Sequence, residues 1–162
     1  MPQSSIWKPS VTVAALIERE GRFLLVEEET SDGLMLNQPA GHLDPGEGLV
    51  EACVREVLEE TTHDFTPTAL LGTYLARSRS RVSGEWVSYL RFAFRGTLGQ
   101  AHAELCLDEG IVRTLWLSPE EIRASHARHR SPLVLQCVED WLAGASYPLG
   151  LIHTHASVKE LA

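Results

Sequence analysis

Two apolar runs stand near the start of the chain. Val11 to Ile17 is almost unbroken and rich in β-formers, Arg22 to Val26 follows, and Glu20-Gly21 between them signals a turn. Met35 to His42 is shorter and interrupted by Pro39, so it predicts an edge strand or a loop. From Leu49 to Thr61 the period changes, and apolar residues recur at helical spacing. Leu70 to Ala76 and Trp86 to Phe94 predict strands, joined by a polar, arginine-bearing loop from Arg77 to Gly84. Val112 to Leu117 predicts another strand. Ser118-Pro119-Glu120-Glu121 marks a helix start, with Ser as N-cap and Pro and acids in the first turn, and Leu133 to Leu142 predicts a last helix after Ser131-Pro132. This is an α/β order, and a mixed sheet with helices on both faces is its economical packing.

The helix over 49–61 carries the most informative chemistry. At about 100° per residue, Leu49, Val50, Cys53, Val54, Val57 and Leu58 fall in one half of the wheel, and Arg55, Glu56, Glu59 and Glu60 in the other. Three carboxylates crowd the last two turns, where they repel one another and oppose the negative end of the helix dipole. A cation offsets both penalties, and an all-oxygen cluster suits Mg²⁺ or Mn²⁺. Arg55 reads as a bidentate brace for one carboxylate. Glu60 lies at the edge of the apolar stripe and should be the most desolvated of the three. An isolated E-x-x-E-E is more often a solvated acidic face; the wider spacing described below decides against that.

Composition narrows the partners. At 162 residues the chain is one domain's length. Acids outnumber Lys and Arg by 22 to 14, a net charge of −8, which argues against a nucleic-acid polymer as partner. Nucleotides stay open, because an acidic protein reaches phosphates through bound cations. No apolar run approaches the roughly 18 residues of a membrane span, and residues 1–10 hold no apolar signal core. Cys53, Cys106 and Cys137 stand far apart without C-x-x-C spacing, as in a reducing compartment. A cytoplasmic protein with no membrane partner is expected.

The stretch from Gly41 to His63 resembles the Nudix box: Gly, five residues, Glu, seven residues, then Arg-Glu-apolar-x-Glu-Glu-x-Gly-apolar. Gly41, Glu47, Arg55, Glu56, Val57, Glu59 and Glu60 occupy the matching positions. Thr62 stands where the pattern has Gly, and His63 where it has an apolar residue. Gly would end the helix in the left-handed region that β-branched Thr avoids, so the departures bear on the helix exit rather than on the acids. Flanking segments, among them Trp7-Lys8-Pro9, Asn37-Gln38-Pro39-Ala40-Gly41-His42 and Tyr89-Leu90-Arg91-Phe92, are similar to the phosphatase NudJ branch of that family.

The resemblance implies an α/β/α sandwich with a mixed sheet, one domain over 1–162, the box at 41–62 and a C-terminal tail from about 153. It implies a Mg²⁺-dependent hydrolase of phosphoric anhydride bonds, with Mn²⁺ as a substitute, acting as a monomer or homodimer on small molecules. The branch hydrolyses thiamine pyrophosphate, hydroxymethylpyrimidine pyrophosphate and nucleoside di- and triphosphates, releasing phosphate. The implied cation ligands are Glu56, Glu59, Glu60 and the Gly41 carbonyl, with Glu47 as structural support for the loop and for Arg55. Dinucleoside polyphosphate or ADP-ribose hydrolysis is the alternative specificity. A non-catalytic nucleotide-sensing module is a further alternative, against which the complete set of box acids weighs.

Other residues are candidates of lower specificity. Besides Arg55 and Glu59, the catalytic set needs a general base, either Glu59 itself or one of Glu104, Asp108 and Glu109, with Glu109 favoured. Arg77, Arg79 and Arg81 alternate and would share one side of an extended chain, either to hold a phosphate or as a solvated hairpin rim. Arg91, within an apolar strand, predicts a carboxylate or phosphate partner and is a third substrate-binding candidate. Trp7, Tyr74, Trp86 and Tyr89 are stacking candidates, with core packing the simpler reading of each. His126-x-x-His129 and His153-x-His155 have ligand-like spacing but read as surface residues.

Overall fold

A computed structural model describes residues 6–79 and 84–160. The first apolar run becomes β1 (Ser10–Arg19), the centre of the sheet. Val13 to Ile17 are at most 2% exposed, and neighbouring residues pack into separate cores on opposite faces. Burial on both sides is why this run does not alternate with polar residues. β1 lies parallel to β6 (Trp86–Ala101) and antiparallel to β2 (Arg22–Thr30) and β4 (Ala40–His42). β3 (Gly33–Asn37) and β7 (Ile111–Leu117) both pair with β2, and β5 (His63–Arg79) pairs with β6 to complete a seven-stranded mixed sheet.

Helix α1 (Leu49–Thr61) covers one face through Ala52, Cys53 and Val57, with Val50 and Val54 packed at the margin. Helices α2 (Pro119–Ala124) and α3 (Leu133–Leu142) cover the other through Ile122, Val134, Cys137 and Val138. This is the expected α/β/α sandwich. Ser118 caps α2 by accepting from the Glu121 N–H. Among the described residues no helix is long and apolar enough to cross a membrane.

The sequence reading undersizes the β5–β6 ribbon. Strands are expected over Leu70 to Ala76 and Trp86 to Phe94, yet β5 also runs through Pro67, and β6 through Gly96 and Gly99. The pairing absorbs them at three register shifts, between His63 and Phe65, Pro67 and Ala69, and Leu70 and Gly72. Gly96 is needed there, because a Cβ would meet the Phe65 ring at 2.4 Å. The ribbon also extends further toward its turn, so Arg77 and Arg79 are strand residues rather than loop residues. Arg81 lies outside the described residues.

Thr62 leaves the helix in the left-handed conformation that its position demands, with φ of 58°. Its N–H donates to Leu58 O and its carbonyl accepts from His102 N–H, both at 2.8 Å, so neighbours hold the strained residue in place. Thr62→Gly should relieve about 1 kcal/mol and raise the melting temperature by about 2–4 °C. Scanning calorimetry of the two proteins checks this; a lower melting temperature would show that Thr62 is not strained.

Glu27 on β2 is 2% exposed and ties its strand to two distant segments. It accepts from Arg113 of β7 at 2.7 Å and from Arg128 in the 3-10 turn His126–Arg128. These arginines hold its carboxyl below the usual value of 4.5. An acid depressed in the fold stabilises it above its unfolded pKa, and that contribution is lost as pH falls through the folded pKa. Glu27→Gln should therefore cost about 2 kcal/mol at neutral pH, and the deficit should shrink below about pH 4. Urea unfolding at pH 7 and pH 3 measures both; a pH-independent deficit would contradict the ion-pair account.

Candidate active site

β4 and α1 run antiparallel, side by side, and three successive residues of β4 meet the polar side of the helix. Ala40 N–H donates to Glu60 Oε2 at 2.9 Å. Gly41 lies against the Glu56 carboxylate, where a Cβ would stand only 2.1 Å from Oε1. His42 O accepts from Arg55 Nη2 at 2.9 Å. Only glycine at 41 leaves a seat for Glu56, which is the steric reason for the first residue of the motif.

Arg55 joins more groups than the single brace expected. Its Nε and Nη2 grip Glu47 at 3.0 and 2.8 Å, while Nη1 reaches both Glu56 Oε1 and Glu59 Oε2 at 2.9 Å. Asp44 stands 3.6 Å from Nη2. Hydrogen bonds to Glu47 and Glu56, with the charges of both, keep the guanidinium firmly protonated against the opposing effect of burial. Glu47 also accepts from Asp44 N–H at 2.8 Å, closing the loop in which Gly46 has φ of 88°. The helix begins two residues later, and the Gly48 N–H goes to Glu51, so Glu47 meets Arg55 rather than the helix end.

The three box acids differ sharply. The helical wheel groups them on one face, but α1 turns Glu56 and Glu60 toward β4, 9% and 7% exposed, and leaves the Glu59 side chain 44% exposed. Burial pushes the Glu60 carboxyl up to about 9; nearby Glu28, Glu56 and Asp108 add to the rise and the Ala40 N–H opposes it. Burial raises Glu56 as well, with Arg55 pulling the other way.

Among the described residues no three acidic, His or Cys side chains already converge as a ligand set. Arg55 holds Glu56 and Glu59, so a cation would compete with its guanidinium. The donor set still fits a hard divalent cation. It is all oxygen, it includes the buried Glu60, which accepts from the Ala40 N–H, and its seat at Gly41 has no side chain.

The loop before β7 supplies the next acid. Asp108 N–H donates to Glu59 O at 2.9 Å, docking the loop on the end of α1. Of the three loop candidates, Asp108 is the one whose charge acts on Glu60. Glu104 pairs with His102 at 3.4 Å, and Glu109 lies exposed in the following turn. Of the three, Asp108 is thus the acid tied to α1, through its backbone, and Glu109 follows it in the turn. The unsatisfied carbonyls of the helix end were the available signal, since some group must reach them.

The remaining candidates scatter. Arg77 stacks over Trp86 at 4.7 Å, and Arg79 Nε donates to Gly84 O at 2.8 Å, so both engage their own hairpin. Arg91 is 7% exposed and forms no ion pair with a carboxylate among the described residues. Its partners are the neutral Gln38 Oε1 and Asn37 Oδ1, at 3.3 and 3.4 Å; of the carboxylate or phosphate expected, no carboxylate pairs with it among the described residues. Tyr74 donates to Asp140 at 2.9 Å, and the Tyr89 ring lies 6.4 Å from His42. The C-terminal tail folds back over the start of α1, with Thr154 against Gly48 and Lys159 paired with Glu51.

Known proteins resemble the chain over most of its length. The NUDIX domain family matches residues 7–137. The chain is 38% identical to phosphatase NudJ of Shigella boydii over 148 residues, covering 91% of this chain and 92% of that one. The same figures hold for phosphatase NudJ of Escherichia coli K12. A solved NUDIX hydrolase from Nitrosomonas europaea is 50% identical, with a TM-score of 0.83, over 91% of this chain and 98% of that one.

Proposed function

The chain belongs to the Nudix family of hydrolases, and from that premise we propose that it is a Mg²⁺-dependent phosphatase of the NudJ type. Its proposed substrates are thiamine pyrophosphate, hydroxymethylpyrimidine pyrophosphate and nucleoside di- and triphosphates, from which it releases phosphate in the cytoplasm. Likeness to the NudJ phosphatases over most of both chains supports the substrate class. The observation that carries the reading is the row along β4: Glu60 on Ala40, Glu56 on Gly41, and Arg55 on His42.

In this reading Glu56, Glu59, Glu60 and the Gly41 carbonyl hold the cation, which supplies charge neutralisation for the phosphoanhydride. Arg55 sets the positions of Glu56 and Glu59 and is itself fixed by Glu47. Glu59, the most exposed of the acids, takes the proton from the attacking water, and Asp108 stands in reserve as the loop base in preference to Glu109. Arg77 and Arg79 contribute a basic rim at the hairpin. One domain spans 1–162, acting as a monomer or homodimer, with no nucleic-acid polymer or membrane as partner.

A phosphate-release assay with Mg²⁺ tests this over thiamine pyrophosphate, nucleoside di- and triphosphates, ADP-ribose and dinucleoside polyphosphates. Orthophosphate from the first groups is expected. Cleavage confined to ADP-ribose or dinucleoside polyphosphates would assign a different specificity within the family.

A further inference from the structure

Two buried polar groups at the centre of the sheet lack partners. Thr12 on β1 and Arg91 on β6 are register partners, so their side chains leave the sheet on the same face. Two residues further along each strand, Ala14 and Ala93 lie in the core beneath α3, which identifies that face. Thr12 is 8% exposed and Arg91 7%. Thr12 Oγ1 and Arg91 Nε have no hydrogen-bond partner among the described residues. The rest of the guanidinium meets neutral groups, the Gln38 and Asn37 amide oxygens at long range and the Cys137 thiol.

The Glu28 charge reaches Arg91 through space, but every acceptor that touches the guanidinium is neutral, and a buried cation so placed with donors still unused is a good seat for an anion. Its position gives the anion a source. Asn37, which accepts from Arg91, also donates to Glu28 Oε1 at 3.1 Å, and the Glu28 charge acts on Glu60. One amide side chain therefore separates the guanidinium from the acidic cluster. Tyr89 lies on the same face as Arg91, half-buried beside His42 at the end of β4, and marks a rim shared with the box.

We propose that Thr12 and Arg91 form an oxyanion seat that binds a phosphate of the substrate other than the one held at the box carboxylates. Arg91 Nε–H and the Thr12 hydroxyl are the donors, and Asn37 and Gln38 hold the guanidinium in place. This inference rests on the phosphoanhydride reading above, and it makes the pair a determinant of substrate binding rather than of the chemical step.

Orthophosphate binding in EDTA tests the seat apart from the cation site, because without a divalent ion the box acids repel phosphate. Calorimetric titration is compared for the wild type, Thr12→Val, Arg91→Gln and Glu59→Gln. The wild type and Glu59→Gln are expected to bind orthophosphate alike. Thr12→Val, of the same shape but without the hydroxyl, should bind about tenfold more weakly, and Arg91→Gln not detectably. In turnover with Mg²⁺, the Thr12→Val loss should fall on KM. Equal binding by Thr12→Val and wild type, or no binding by the wild type, would overturn the proposal and leave the pair as a buried water site. Should Arg91→Gln fail to fold, Thr12→Val decides. An enzyme that binds orthophosphate through this pair yet hydrolyses no phosphoanhydride would refute the functional reading and leave the seat standing.

Discussion

Glu59→Gln should lower turnover at least about a hundredfold while the fold survives. The side chain is 44% exposed and its ion pair with Arg55 is a surface i,i+4 contact. Such a pair contributes about 0.5 kcal/mol, so unfolding should change little. Activity is another matter, since glutamine keeps the shape of glutamate but has neither its charge nor its basicity. At saturating Mg²⁺, with Glu56 and Glu60 still available as ligands, a KM close to normal is expected, because substrate binding does not depend on proton removal. Steady-state kinetics with a circular dichroism melt measures both quantities. Near-normal turnover would remove Glu59 from the catalytic set, and loss of the fold would assign it a structural role.

Divalent cations should stabilise the protein strongly, and through the box. Glu56 and Glu60 are buried acids whose carboxyls are raised by burial, and carboxylate neighbours crowd both. A cation that binds the fold and not the unfolded chain stabilises it by mass action, by about 2.7 kcal/mol at a hundred times its Kd. For a protein of this size that is a rise of roughly 5–11 °C in melting temperature. The double variant Glu56→Gln, Glu60→Gln should show a much smaller rise, with two of three proposed carboxylate ligands neutral. Thermal melts of both proteins in EDTA and in excess Mg²⁺ provide the comparison, repeated with a non-hydrolysable diphosphate because Mg²⁺ often binds tightly only with its phosphates. Equal rises in the two proteins would place the cation elsewhere.

The box was legible because its constraints are local. A helical period puts Arg55, Glu56 and Glu59 within reach of one another on one side of α1, and the spacing back to Gly41 is fixed by one short loop. The contrast between buried Glu60 and exposed Glu59 follows from the same wheel, but Glu56 does not, because its burial depends on β4 lying alongside. The ribbon of β5 and β6 was harder to read. Glycine and proline usually punctuate strands, and here they mark bulges inside one. Asp108 sits against the end of α1 because its backbone N–H bonds Glu59 O, a contact that residue type cannot reveal. Arg91 was recognised as out of place in an apolar strand, but its amide neighbours come from a segment more than fifty positions away.

The tail that folds over α1 ties the box loop to contacts made far along the chain. Thr154 packs on Gly48, and Lys159 closes an ion pair with Glu51, 108 residues earlier. The two buried cores use neither of these tail residues. Proteolytic cleavage just before Thr154 would therefore uncover the start of α1 and leave the sandwich assembled. Backbone amides of the loop that presents Glu47 to Arg55 would then exchange with solvent faster, while those of the central strands kept their protection.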